Sequence, residues 1–357
     1  MPVLDLPLDK LRDYRPATTA RPDFDAFWAA TLTDHAGSAS APRFDSVATP
    51  LATIETFDVT FAGFDDQPIK AWLHLPRHRR GALPCVVQYM GYGTGRGTPV
   101  TLTNLLYSSA GYANLIVDNR GQLGSDTADG DASRRTQASG FLTQGVLSAE
   151  TFYYRRLIVD AVQAVRAAAR HPEIDATRIA VAGGSQGAAL ALAAAALDDT
   201  PIAVLADLPF LSDLKRAADV ASSGPYLELA ELGKSRPELV ERAFSTLSYF
   251  DAMNFASRAT APARFSAALM DGVAPASTVF AAYNHYAGAK SIDVYPFNGH
   301  EGGGQLAAER RLSFLTDAFG APQADASSRL GTVRALSARG ASAAAEHPAE
   351  AQDARPA

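Results

Sequence analysis

Arg178-Ile179-Ala180-Val181-Ala182-Gly183-Gly184-Ser185-Gln186-Gly187-Ala188-Ala189-Leu190-Ala191-Leu192 is the stretch on which the fold turns. Its first five residues make a short, mostly apolar run that reads as a buried strand, and its last five open a helical pattern. Between them stands Gly-x-Ser-x-Gly. A serine on so sharp a strand-to-helix turn takes up a strained backbone, and its flanking glycines are needed because a Cβ there collides with neighbouring elements. The turn lifts the hydroxyl above the sheet and aims a helix N-terminus at the reacting centre. The pentapeptide alone is a weak signal, because glycine is common. Its position between strand and helix makes Ser185 the candidate nucleophile.

Outward from this point, apolar runs recur at 85–89, 114–117, 179–182, 202–206, 265–270 and 292–295, separated by helical patterns at 151–169, 188–196, 277–287 and 306–318. Continuous apolar strands alternating with helices predict a mostly parallel sheet covered on both faces. Upstream, 54–61 and 69–75 alternate apolar and polar side chains around turn residues at 63–68, which reads as a β-hairpin. Before it, Phe24, Phe27, Trp28 and Leu32 share one helical face behind the start signals Pro22 and Asp23. The stretch 211–254 is too long for a simple crossover and reads as a mostly helical insertion, a lid or a subunit contact. Together these elements predict one catalytic domain of α/β-hydrolase fold over 1–320.

Composition narrows the function. With 47% apolar and 20% charged residues among 357, the chain has ample material for a large core. A net charge of −6 offers no basic field for nucleic acid or anionic lipid. Cys85, the single cysteine, sits in an apolar run and reads as a core residue rather than a reactive thiol. The start of the chain lacks a basic segment followed by a long apolar one, and no run nears the roughly 20 apolar residues that span a bilayer; the expectation is a cytoplasmic protein. Beyond about Gly320 the chain is rich in Ala, Ser, Arg, Glu and Pro, and cannot offset its ordering entropy by burial. A disordered tail is predicted over 321–357. No phosphate-binding glycine loop occurs.

A serine hydroxyl needs a base to take its proton. Of seven histidines, His300 alone lies in a loop directly after the last predicted strand, Asn298-Gly299-His300-Glu301-Gly302-Gly303-Gly304, where this fold supplies its base. The acid that orients the imidazole should follow a strand between nucleophile and base. Asp271 follows 265–270 and begins such a loop, while Asp207 follows 202–206 and competes for the role. A tetrahedral oxyanion requires backbone N–H donors. Gln186, next after the serine, supplies one; the glycine-rich loop Met90-Gly91-Tyr92-Gly93-Thr94-Gly95-Arg96-Gly97 supplies the other.

Several stretches resemble the acetyl xylan esterase/cephalosporin C deacetylase family, carbohydrate esterase family 7. They are Val86-Val87-Gln88-Tyr89-Met90-Gly91-Tyr92 with Gly95-Arg96-Gly97, Asp118-Asn119-Arg120-Gly121-Gln122, Tyr153-Tyr154-Arg155-Arg156, the serine pentapeptide, Leu247-Ser248-Tyr249-Phe250-Asp251, Ser277-Thr278-Val279-Phe280-Ala281-Ala282-Tyr283-Asn284, and His300-Glu301-Gly302-Gly303-Gly304. The resemblance runs from about residue 5 to residue 318. It implies Ser185, Asp271 and His300 as nucleophile, acid and base, and the backbone N–H groups of Tyr92 and Gln186 as oxyanion donors. It further implies structural support near the site from Arg120 and Gln122, no metal or cofactor, and small substrates such as acetylated xylo-oligosaccharides and cephalosporin C. Its members commonly form hexamers. The chain departs from the pattern at Leu123, where glycine is frequent, and at Gly272 and Ala274, where bulkier residues and proline are usual. A longer-acyl esterase or a peptidase would use the same three residues, and a non-catalytic binding protein would keep the fold without using them.

Overall fold

A computed structural model describes residues 5–35, 40–130 and 137–320. Among these residues, nine strands form one sheet: β1 (Arg43–Val47), β2 (Ile54–Ala62), β3 (Pro68–Pro76), β4 (Leu83–Tyr89), β5 (Ala113–Val117), β6 (Ile174–Gly184), β7 (Pro201–Asp207), β8 (Ala263–Ala268) and β9 (Lys290–Tyr295). Their order is β1-β2-β3-β5-β4-β6-β7-β8-β9. Pairing is antiparallel across β1, β2, β3 and β5, and parallel from β5 through β9.

Two helices precede the sheet, α1 (Leu8–Asp13) and α2 (Phe24–Asp34). Crossovers follow in α3 (Leu106–Ser109), α4 (Tyr153–Ala168) and α5 (Gln186–Leu197). The insertion between β7 and β8 contains α6 (Leu214–Val220), α7 (Leu227–Ser235), α8 (Val240–Leu247) and α9 (Ala252–Ala256). Then come α10 (Ala276–His285) and α11 (Gly304–Phe319).

The period of two along each strand divides the core between the faces. Cys85, Val87 and Tyr89 of β4 join the cluster that includes α4 and α5, whereas Val86 joins Tyr107, Tyr112, Leu315 and Phe319 on the side of α3 and α11. Helix α5 is apolar all round and accordingly buried on its sheet, α4 and α9 sides. Cys85 is fully buried, which pushes its thiol up to about 12 and removes it from chemistry at neutral pH.

The N-terminal helix α2 packs on the end of the insertion. Phe24 and Trp28 are buried, their rings meet Phe255 edge-on, and Trp28 Nε1 donates to the carbonyl of Tyr249 at 2.9 Å. Burying a side chain such as Phe24 is worth roughly 1.5–3 kcal/mol.

The hairpin, the six apolar strands and the helical insertion all occur where the sequence places them, with ends displaced by a few residues. Strand β8 stops at Ala268 rather than Met270, though Leu269 and Met270 still donate to the carbonyls of Tyr295 and Asn298. Strand β1 and helix α1 were not foreseen. The edge strand β1 is exposed along most of its length and carries little apolar alternation, and α1 has one buried residue, Leu11. Among the described residues no helix is long and apolar enough to cross a membrane. The predicted tail, with His347, lies outside them.

Candidate active site

Ser185 stands between the end of β6 and the start of α5, with φ 57° and ψ −120°. This left-handed conformation costs a non-glycine residue roughly 1–3 kcal/mol, and the surroundings enforce it. The Ser185 N–H donates to the carbonyl of Asp207 at 2.8 Å, while its own carbonyl accepts from Phe210 and Ala188. A Cβ on Gly183 would stand 2.3 Å from the Gly187 carbonyl carbon, and one on Gly187 would stand 2.2 Å from the Tyr89 oxygen. Both glycines are therefore steric requirements of the turn. The Ser185 hydroxyl does not cap α5.

His300 lies on the loop between β9 and α11, and its Nδ1 is 2.8 Å from Asp271 Oδ2. The Asp271 side chain is fully buried, and that of His300 is 31% exposed. Asp271 Oδ1 accepts from the N–H groups of Val273 and Ala274 at 2.8 and 2.9 Å. The Met270 N–H donates to the Asn298 carbonyl, so the loops that carry Asp271 and His300 are tied directly together. Ser185 and His300 line a common cavity of about 190 Å³, with Asp207, Ser266, Gly302 and Arg311 among its other walls. They share this wall without a closed hydrogen bond between them, as is frequent before substrate tightens such a contact.

The competing acid is occupied elsewhere. Asp207, the last residue of β7, accepts from Ser266 Oγ at 2.8 Å and from Arg311 Nη1 at 3.0 Å. Burial pushes its carboxyl up while Arg311 pulls it down. It lines the same cavity, but the imidazole is bonded to Asp271.

The carbonyl of Gly272 accepts from the N–H groups of Ser222 and Ser223, which braces the loop that carries Asp271 against the insertion. Ala274, another departure, is fully buried and its N–H donates to Asp271 Oδ1. Leu123 is 53% exposed and its side chain meets solvent.

Gln186 and the loop after β4 are held by one buried network. Gln186 Oε1 accepts from Tyr154 Oη and Gln122 Nε2, each at 2.9 Å, and its Nε2 donates to the Met90 carbonyl at 3.3 Å. Gln122 Oε1 accepts from the Gly93 N–H at 2.7 Å, and Asn119 Nδ2 donates to the carbonyls of Gly91 and Thr94. Tyr92 is thus fixed between Gly91 and Gly93. The roles of Asn119, Tyr153 and Tyr154 were not assigned from the sequence. The polar stretch 118–122 and the tyrosine pair 153–154 were the available signals, but their partners lie about 25 to 33 positions away.

Tyr153 joins Arg120 to this network, its Oη donating to the Arg120 carbonyl at 2.6 Å and accepting from Gln122 Nε2 at 3.0 Å. Arg120 Nε and Nη2 meet Asp160 Oδ2 and Oδ1 at 2.6 and 2.7 Å, both residues being about 1% exposed. Its Nη1 donates to Gln67 Oε1 at 2.7 Å. Replacing Arg120 with alanine leaves a buried carboxylate without its cation, so the expected loss is about 3–5 kcal/mol. Urea unfolding measures this; a loss below about 1 kcal/mol would show that the pair is dispensable.

The chain is similar to several known esterases. An acetyl xylan esterase from Paenibacillus sp. R4 is 38% identical, with a TM-score of 0.81, covering 88% of this chain and 100% of that one. Acetyl xylan esterase 1 from Thermoanaerobacterium sp. JW/SL YS485 is 30% identical at a TM-score of 0.80, covering 88% and 99%. Acetyl esterase Axe7A from Xylanibacter ruminicola is 28% identical over 297 residues, or 80% of this chain, which spans 65% of that relative's length. The sheet order and its helical layers are those of the α/β-hydrolase fold. Residues 1–318 match the family model for acetyl xylan esterase (AXE1), and the chain belongs to that family.

Proposed function

We infer that the protein is a serine carboxylesterase that removes acetyl groups from small acetylated carbohydrates by two-step acyl transfer. The observation that carries this reading is the 2.8 Å His300–Asp271 pair, whose imidazole shares a cavity wall with Ser185, a serine held at positive φ. In the first step His300 Nε2 takes the Ser185 proton as Oγ attacks the acetyl carbonyl. The backbone N–H groups of Tyr92 and Gln186 donate to the oxyanion, the latter at the start of α5, where unpaired amides and the helix dipole favour negative charge. His300 then returns the proton to the departing sugar oxygen. In the second step the same imidazole activates water, which releases acetate and restores Ser185. Asp271 holds the imidazole with Nδ1–H toward itself, leaving Nε2 free to accept.

Acetylated xylo-oligosaccharides and cephalosporin C are the proposed substrates and a homohexamer is the proposed form, both supported by the family resemblance; the proposed location is the cytoplasm. The expected result is acetate release from these substrates. A series of p-nitrophenyl esters is expected to give kcat/KM at least about tenfold higher for acetyl than for butyryl, since each misfit methylene costs about 1–3 kcal/mol. Equal or better turnover of butyryl would replace the acetyl esterase with a longer-acyl one.

A further inference from the structure

Tyr92 carries a second feature that its proposed backbone role does not use. Its phenol O–H donates to Glu228 Oε1 and its oxygen accepts from the Phe141 N–H at 3.0 Å. Glu228 sits in the first turn of α7, in the insertion. The same carboxylate accepts from the N–H groups of Gly140 at 2.8 Å and Leu142 at 3.0 Å. One side chain therefore gathers the loop after β4, the segment 140–142 and the insertion. The Tyr92 ring meets Phe141 and Phe210 edge-on, and the Phe210 N–H donates to the Ser185 carbonyl. The ring is thus seated against the residue that braces the serine turn. Burial and the bond to Glu228 push the phenol well above its ordinary range, so it remains a neutral donor.

The loop after β4 is accordingly held from two sides. Asn119 and Gln122 bind its backbone on the core side, and Glu228 holds the Tyr92 side chain from the insertion. We propose that Glu228 is a positioning residue, which sets the aim of the Tyr92 backbone N–H at the oxyanion by anchoring the Tyr92 ring. This rests on the oxyanion reading above. It gives the insertion a part in transition-state stabilisation although Glu228 touches no reacting atom. The oxyanion is fully charged only in the tetrahedral state, so loosening a donor weakens that state more than the bound ester.

Tyr92→Phe removes a single oxygen and leaves the ring packing in place. It is expected to lower kcat for p-nitrophenyl acetate about tenfold, a fraction of the roughly 10²–10³ for losing an oxyanion donor, with KM within about twofold. The inhibition constant of methylboronic acid, whose adduct on serine puts an oxygen at the oxyanion position, is expected to weaken by the same factor. Glu228→Ala should match Tyr92→Phe, and the double variant should be no worse than either single one. Glu228→Gln, which keeps one oxygen for Tyr92 and Gly140, should recover most of the activity. Tyr92→Phe within about twofold of wild type in both kcat and boronate inhibition overturns the proposal, while inhibition of the wild type and an inactive Ser185→Ala keep the esterase reading. A wild type indifferent to methylboronic acid, with an active Ser185→Ala, overturns both.

Discussion

Ser185→Ala is expected to reduce turnover of p-nitrophenyl acetate by on the order of a million-fold, the scale found when a triad serine is removed. The substitution removes the atom that would form the acetyl-enzyme. No cap or hydrogen bond that α5 needs goes with it, because the Ser185 hydroxyl does not cap the helix. Alanine at φ 57° bears the same strain as serine, so the melting temperature should hardly change; Ser185→Gly, which relieves that strain, should be the more stable of the two inactive proteins. The pair of variants separates chemistry from folding in one experiment. Fluorophosphonate labelling should be lost in both while circular dichroism stays native. Purified Ser185→Ala retaining more than about one hundredth of wild-type kcat would remove Ser185 from the nucleophile's role.

Asp271→Asn carries the second largest effect, a fall in kcat of about 10⁴ with the fold intact. An asparagine oxygen can keep the bonds from Val273 and Ala274 that Oδ1 now accepts. Its NH₂ then faces His300 Nδ1 at the 2.8 Å position and donates to it. The imidazole proton is driven onto Nε2, which can no longer accept from Ser185. The loss is one of tautomer rather than of structure. Asp207→Asn serves as the contrast. It weakens the bond to Arg311 but leaves the imidazole's partner in place, so kcat should fall by less than about tenfold. If the two variants exchanged these effects, Asp207 would be the acid and Asp271 a structural residue.

The parts of the site that were legible share one property: each stands at a point that the order of strands, turns and helices marks along the chain, wherever its contacts lie. Gly183 and Gly187 are required by contacts with each other and with the strand beside them, and the strand-turn-helix text around Ser185 announces that geometry. The order of nucleophile, acid and base is likewise written along the chain. Asp271 and Asp207 both follow strands, and nothing local separates them. What separates them is that the loops after β8 and β9 meet through Met270 and Asn298, a contact set by the pairing of two parallel strands. Gly272 shows the same limit. Read alone, a glycine there departs from the family pattern; in the fold its carbonyl accepts from the N–H groups of Ser222 and Ser223 in the insertion. Strand β1 is illegible for another reason, since an exposed edge strand has little core to imprint a pattern on it.

The sequence by itself determined the layered α/β architecture, the serine turn and the histidine loop, because hydrophobic period and glycine stereochemistry act between near neighbours. Only the tertiary structure shows how Gln122 links Gly93 to Gln186, and that Glu228 meets Tyr92 across 136 positions of chain; for the carboxylate beside the imidazole it shows the contact that the family resemblance implies for Asp271. Hydrogen bonds of that kind are chosen by where the sheet order and the insertion bring distant backbones together, and no local pattern encodes that distance.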